Sequence, residues 1–202
     1  MNHPADTSRS PLAEIWFAPR TTVRWVVRHD PNYLVIPLAV VAGVAGGVWN
    51  AVGLGLGPGG TFLLASAAGL MGGAWGVASL YLTGWALRVT GRWLGGQATP
   101  EEMRAAIAWG GVPAATALVL FVPALAADTL LSGGAQLAAL ASIGVAQMVL
   151  GVWSLVTLTA AIAEVQRFSA MRAFVNLALP GVLFGGIFLA IALVLGLLFI
   201  LV

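Results

Sequence analysis

The chain has 202 residues, of which 60% are hydrophobic and only 8% are charged, and its formal net charge is +2. This composition excludes a water-soluble domain, because too few polar side chains are present to cover a core of that size. The small net charge gives no reason to expect a nucleic-acid partner, and the absence of cysteine excludes disulfides and thiolate metal sites.

The first 32 residues precede the first long apolar run and contain a basic, aromatic segment. Ser10 is a suitable N-cap for a short helix, which Pro19 interrupts. In the helix that follows, three arginines spaced by four residues share one arc, beside a neighbouring apolar arc. This pattern predicts an amphipathic helix in the membrane interface that contacts lipid or a partner through Trp16, Arg20, Arg24, Trp25 and Arg28.

Five apolar runs are long enough to cross a bilayer, whose hydrocarbon core needs roughly 20 helical residues. We therefore expect an all-α, polytopic membrane protein with a tail over residues 1–32 and a five-helix domain over residues 33–202. The predicted spans are 33–54, 62–87, 105–127, 137–163 and 174–202.

Two local signals predict how these spans begin. Asp30 and Pro31 are read as the N-cap and first turn of the first span. Thr99 and Glu102 form the capping box T-x-x-E, and the helix that it opens is expected to run straight into the third span.

All nine basic residues are arginines, and their distribution predicts the orientation. They lie before the first span, between the second and third, and between the fourth and fifth, while the other two connections carry none. The positive-inside rule then makes the N-terminus cytoplasmic and the C-terminus external. The use of arginine without lysine, together with abundant Ala and Gly, favours a GC-rich bacterium, so we expect a multi-pass protein of the bacterial inner membrane.

Glycines at four-residue spacing predict close helix packing in the second span, because small residues let helix backbones approach each other. The residues concerned are Gly69, Gly72, Gly73 and Gly76. Whether the contact forms within one chain or between copies in a homo-oligomer is left open at this point.

Few residues could carry out chemistry. The two histidines, His3 and His29, both precede the first span, and no catalytic or metal-binding motif is present. We therefore expect no enzyme, cofactor or metal. Glu164 is expected to pair with Arg167 or Arg172 at the cytoplasmic end of the fourth span. The alternative is a polar or gating site made by Glu164, Arg167, Arg172 and Asn176.

Three segments resemble the Yip1 domain family of five-span membrane proteins, specifically its bacterial members. They are EIWFAPRTTVRWVVRHDP (14–31), EEMRAAIAWGGVP (101–113) and VWSLVTLTAAIAEVQRFSAMRA (152–173). The chain departs from eukaryotic members in its short N-terminal tail and in lacking their D-L-x-G-P type motif. The residues that match the family-like segments are Trp16, Pro19, Arg20, Arg24, Trp109, Pro113, Trp153, Glu164 and Arg172.

The resemblance implies a small helical bundle without enzymatic chemistry. Eukaryotic relatives are associated with vesicle trafficking, membrane shaping and Rab-type GTPases, of which only a membrane-organising or adaptor role transfers to a bacterium. Two hypotheses follow. The first is a protein that organises membrane lipid, through anionic headgroups, or recruits a protein partner on its basic cytoplasmic face. The second is a small transporter, channel or lipid-translocating protein with a path between kinked helices.

Overall fold

The computed structural model describes residues 10–52, 54 and 56–201. Within this part of the chain the regular elements are all helical, which confirms the all-α prediction. The first nine residues, including His3 and Arg9, lie outside the described residues, as does Val202.

Nine α-helices follow one another along the described chain, with two short 3-10 segments between them. The helices are α1 (Pro11–Glu14), α2 (Pro19–His29), α3 (Val35–Val48), α4 (Gly57–Trp93), α5 (Pro100–Gly110), α6 (Val112–Ala115), α7 (Phe121–Leu130), α8 (Gly133–Gln166) and α9 (Ala170–Leu201). The 3-10 segments are Trp49–Ala51, after α3, and Thr116–Leu120, between α6 and α7.

Four helical stretches are long and apolar enough to cross a membrane. They are Gly59–Trp93, Val112–Leu130, Gly133–Gln166 and Ala170–Leu193, and a shorter apolar stretch covers Val35–Ala51. The predicted second and fourth spans lie inside α4 and α8. Most side chains of α8 and α9 in these stretches are exposed, as expected for helices that face lipid.

The start of the first span differs from the prediction. Asp30 is the C-cap of α2, and its side chain accepts a hydrogen bond from the backbone N–H of Asn32 at 2.9 Å. The chain then turns, Leu34 adopts φ 55°, and α3 begins only at Val35. Asp30 therefore stabilises a turn after α2, a role that suits aspartate because its side chain bonds the backbone two residues on.

The third span is also interrupted where the sequence predicted a continuous helix. The capping box of Thr99 and Glu102 is confirmed, and it opens α5. However, α5 ends at Gly110, and the chain continues through α6 and a 3-10 segment into α7. Glycine at 110 and 111 weakens the helix, and Pro113 and Pro123 each remove a backbone donor, so the break has a local cause.

The largest core lies at the end of the bundle where α4 and α8 finish and α5 and α9 start. There α5 packs against α4 and α8, and α2 lies across α5 and α8. Trp109 is fully buried in this core, and its Nε1 donates to the carbonyl oxygen of Tyr33 at 3.1 Å. A smaller core around Val48, Ala51 and Ala65 lies where α3 ends and α4 starts.

Candidate functional site

All the arginines among the described residues gather at one end of the bundle, which we call the basic end. It consists of α2, the last turns of α4 and α8, the 94–99 loop, α5 and the first turn of α9. Its arginines are Arg20, Arg24, Arg28, Arg88, Arg92, Arg104, Arg167 and Arg172. The connections at the opposite end, after α3 and after α7, contain no basic residue in the sequence.

Helix α2 is held against the rest of the protein by its apolar side, and its arginines lie on the opposite, exposed side. Val23 and Val26 are fully buried in the core, because this side of α2 packs on α5 and α8. The apolar arc predicted to lie in the membrane interface therefore contacts protein. Arg20 and Arg28 are exposed on the other side.

Two exposed aromatic side chains flank these arginines. Phe17, which the sequence analysis did not single out, is 88% exposed, and Trp25 is 45% exposed. The Trp25 ring stacks on His29 with the centroids 4.5 Å apart. Trp16, by contrast, packs partly buried against the core, and its carbonyl oxygen accepts a hydrogen bond from Trp153 Nε1 at 3.1 Å.

Arg24 joins α2 to the end of α8. Its Nε and Nη2 donate to the two carboxylate oxygens of Glu164, with the Nη2–Oε2 distance 2.9 Å. The hydrogen bond to Glu164, followed by the charge of that carboxylate, raises the pKa of Arg24 above its usual value. Glu164 thus pairs with an arginine 140 positions earlier, which the sequence analysis did not anticipate.

The two arginines that the sequence offered as partners for Glu164 lie elsewhere. Arg167 caps α8 with φ 58°, and its Nη1 donates to Gln97 Oε1 at 2.9 Å in the 94–99 loop. Arg172 is exposed in the first turn of α9. The expected ion pair of Glu164 with Arg167 or Arg172 was therefore wrong, because the turn after α8 carries both arginines away from it.

Asn176 belongs to a buried polar cluster and has no exposed surface. Its Nδ2 donates to the carbonyl oxygen of Leu87 at 3.1 Å, and its Oδ1 accepts from the Thr90 hydroxyl at 2.7 Å. Gln166 donates to the same Leu87 carbonyl at 3.3 Å and accepts from the backbone N–H of Ala98 at 3.2 Å. The cluster ties together α4, the 94–99 loop, α8 and α9.

Gln166 and Thr90 are the members of this cluster that the sequence analysis missed. The available signal was the presence of an amide side chain two residues after Glu164, at the end of a long apolar helix. Gly91 and Gly96 make room for it, because a Cβ at either position would overlap the Gln166 amide. Since all its amide contacts lie within the protein, this cluster has the geometry of a structural joint.

A second carboxylate, that of Glu101, pairs with the positive charge of Arg104 one turn further along α5. Its Oε1 lies 3.1 Å from Arg104 Nη2, and the Arg104 guanidinium lies 4.9 Å from the centre of the Tyr81 ring. A backbone hydrogen bond, and after it the hydrogen bond from Arg104, hold the pKa of Glu101 below its usual value.

The glycines predicted to mark a close contact lie on the side of α4 that faces α3. Gly72 and Gly76 sit against the backbone of Gly43, with so little space that a Cβ on Gly76 would lie 2.9 Å from the Gly43 Cα. Gly69 and Gly73 face valine side chains of α3 instead. This contact forms within the chain.

An apolar groove of about 1040 Å³ runs along the junction of α3 and α4 and is bordered by α5 at one end. We call it the lateral groove. Its floor is the glycine backbone of the α3–α4 contact, and its sides carry exposed side chains such as Met71 and Trp75. The residues that line it include Ala42, Gly46, Asn50, Met71, Trp75, Ser79 and Thr83.

The three family-like segments lie against one another in the structure. The first meets the third through the Arg24–Glu164 pair. The second meets the third at Gly110, whose carbonyl oxygen accepts from the Thr157 hydroxyl at 2.7 Å and from the Ser154 hydroxyl at 3.2 Å. A Cβ on Gly110 would lie 2.7 Å from the Leu158 Cα, so glycine permits this close approach.

The arrangement offers a positively charged surface and an apolar groove. Across residues 10–52, 54 and 56–201 there is no group of three or more His, Cys, Asp or Glu side chains that could hold a metal ion. The basic end can bind anionic groups at a surface, and the lateral groove can take an apolar chain.

The sequence model of the Yip1 domain matches residues 13–201, nearly the whole chain. No curated protein and no solved structure matches at a significant level.

Proposed function

The chain belongs to the Yip1 domain family, and from this premise we propose that it is a non-enzymatic membrane protein that gathers anionic lipid at its basic end. The observation that carries the proposal is the docked state of α2. Its apolar side is buried in protein through Val23 and Val26, while Arg20 and Arg28 are exposed and Arg24 is paired with Glu164.

Docking makes this surface effective for binding. Because α2 is already folded against α5 and α8, no backbone entropy is lost when its arginines meet headgroups, and only the arginine side chains are ordered. Each arginine near an anionic surface strengthens binding about fivefold. Phe17 and Trp25, both exposed, have the amphipathic or apolar rings that insert at headgroup depth.

We also propose that the chain crosses the membrane five times, with the basic end in the cytoplasm. The short apolar stretch Val35–Ala51 would be the first crossing in chain order and would bring the total to five, since spans as short as about 17 residues are known. The arginine distribution supports this orientation. A bacterial inner membrane is supported by the composition alone.

Single-cysteine labelling tests this topology directly, because the chain contains no cysteine of its own. In intact cells a membrane-impermeant maleimide should label Ser132→Cys, between α7 and α8, and should leave Ser10→Cys unlabelled until the membrane is opened. The opposite labelling pattern would overturn the orientation, and labelling of both or of neither in intact cells would overturn the odd number of crossings between them.

Lipid selectivity tests the proposed function. The full-length protein is reconstituted into bilayers that contain spin-labelled phosphatidylglycerol or phosphatidylcholine, and the motionally restricted fraction of each probe is measured. The native chain should restrict phosphatidylglycerol more strongly. The double variant that carries Arg20→Gln and Arg28→Gln should lose most of this preference. The control variant Arg172→Gln, which changes an exposed arginine outside α2, should retain most of it.

Equal restriction of the two lipids by the native chain would refute the proposal. A preference that survives in the double variant would also refute the role of α2. Loss of preference only at Arg172 would point to α9. If the double variant keeps its lipid selectivity and instead loses an acidic protein partner, the arginine surface serves partner recruitment.

One observation favours a second candidate, a lipid-translocating protein. The lateral groove extends along α4 from Ala68 to Thr83, a length of about 22 Å, which exceeds half of a hydrocarbon core of about 30 Å. Fluorescent-lipid scrambling in proteoliposomes tests it. A rate equal to that of protein-free liposomes would exclude this candidate.

A further inference from the structure

The lateral groove has the size and the walls of a binding site for hydrocarbon. Its volume of about 1040 Å³ is comparable with the largest of the usual ligand pockets, which measure roughly 300–1,000 Å³. Met71 and Trp75 on its α4 side are 74% and 65% exposed. On the α3 side, a Cβ placed on Gly46 would meet no atom within 4 Å, so the space beside it is open.

The polar groups of the groove do not favour a hydrophilic ligand. Asn50 Nδ2 donates to the carbonyl oxygen of Gly46 at 2.9 Å, and the Ser79 hydroxyl donates to the carbonyl oxygen of Gly76 at 3.0 Å. Asn50 lies in the 3-10 segment directly after α3, so each side chain satisfies a carbonyl about one turn before it in the same part of the chain. The remaining surface is largely glycine backbone and apolar side chain, which suits an acyl chain.

Charge complementarity identifies the other part of the ligand. Beyond Thr83, α4 continues into the basic end, where Arg88 and Arg92 follow about 7.5 and 13.5 Å further along the axis. Arg88 Nε donates to the neutral carbonyl oxygen of Ala98 at 3.3 Å, which leaves its positive charge in place. Exposed tryptophans on the same helix, Trp85 and Trp93, are typical of headgroup depth.

We propose that the lateral groove binds one phospholipid, with an acyl chain between α3 and α4 and its phosphate at the Arg88 and Arg92 end of α4. An anionic headgroup such as that of phosphatidylglycerol fits this end best, because it carries no positive group to be repelled by the arginines. The inference deepens the proposed function by assigning a lipid site separate from the α2 surface.

Photo-crosslinking tests the site with the full chain in nanodiscs. The probe is phosphatidylglycerol with a diazirine in one acyl chain, and the adducts are mapped by mass spectrometry. Adducts should concentrate on the groove walls near Met71 and Trp75. Gly46→Leu should lower their yield, because the new side chain enters open space and partly fills the groove.

The matched control is Gly151→Leu on α8, where a Cβ would also meet no atom within 4 Å and which lies outside the groove. It should leave the adduct yield at the groove unchanged. Ala42→Leu is a second groove-filling change, and it provides the same test if Gly46→Leu folds poorly. Equal yields in the groove-filling and control variants would overturn the proposal, as would adducts spread evenly over exposed α8 residues such as Met148.

The headgroup is tested by repeating the experiment with a phosphatidylcholine probe and with Arg92→Gln. Phosphatidylglycerol should crosslink more, and Arg92→Gln should lower its yield about fivefold. Equal yields from the two probes would overturn the headgroup assignment. Disulfide-linked dimers of a Gly46→Cys variant, formed in the membrane, would show that a second copy occupies the groove and would overturn the lipid assignment. The α2 double variant should leave the groove adducts unchanged, so this site and the α2 surface can fail separately.

Discussion

Replacing Gly43 by alanine should destabilise the bundle, while the same change at Gly46, three residues on in α3, should not. At Gly43 a Cβ would overlap the carbonyl oxygen of Gly72 and would lie 2.7 Å from the Cα and 2.8 Å from the N of Gly76. These are backbone atoms of α4, so no side-chain rotation can relieve the clash. The helices would have to separate.

The magnitudes follow from these contacts. Forcing one extra carbon into a packed contact costs about 1–3 kcal/mol. Gly46→Ala meets nothing within 4 Å and removes the entropy cost of glycine in a helix, a gain of about 0.5–1 kcal/mol. Gly43→Ala makes the same gain, since Gly43 also lies inside α3, so the free energies of unfolding of the two variants should differ by the cost of the clash alone, about 1–3 kcal/mol.

Titration with sodium dodecyl sulfate in mixed micelles, followed by far-UV circular dichroism, measures this difference. Gly76→Ala should resemble Gly43→Ala, since its Cβ would lie 2.9 Å from the Gly43 Cα. Gly69→Ala should cost less, because its Cβ would meet only side-chain atoms, of Val48 at 3.1 Å and of Val44 at 3.7 Å. A Gly43→Ala protein as stable as Gly46→Ala would refute the reasoning that α3 and α4 meet through their backbones.

Three further changes probe the basic end. Glu164→Gln removes the ion pair with Arg24 and should speed hydrogen–deuterium exchange in α2, whereas Arg28→Gln, one turn along, should not; equal exchange in both variants would contradict the role of the pair. Gln166→Leu leaves the buried N–H of Ala98 without its partner and should lower the free energy of unfolding by about 1–3 kcal/mol, while Gln147→Leu, partly exposed in the same helix, should be close to neutral. Thr99→Ala removes the cap of α5 and should cost about 1 kcal/mol, measurable in the same detergent titration; a cost near zero would show that packing alone holds the start of α5.

Local signals in the sequence predicted several elements well. The capping box at Thr99 was found where expected, as was the new helix at Pro19, because each depends on neighbouring backbone groups alone. The prediction that Asp30 caps the first span was wrong for the same reason. Its side chain can cap a following helix or stabilise a turn, and only the packing of α2 against α5 and α8 selects the turn.

The candidate site was predictable only in part. The four-residue spacing of the α2 arginines predicts that they share one face of the helix. It does not predict whether the neighbouring apolar arc faces lipid or protein. The same arc suits lipid or a protein core, and the structure buries Val23 and Val26 in protein. The partner of Glu164 could likewise not be predicted from the sequence, since Arg167 and Arg172 are nearer along the chain than Arg24.

The sequence by itself determined that the chain is helical and rich in apolar stretches long enough to cross a membrane, and that its basic residues collect in alternate connections. These properties depend on composition and order along the chain. The tertiary structure decided which groups meet: Arg24 with Glu164, Gln166 with the 94–99 loop, and Gly43 with Gly72 and Gly76. Such contacts depend on where helices cross and how closely their backbones approach, and those distances are set by the packing of the whole bundle.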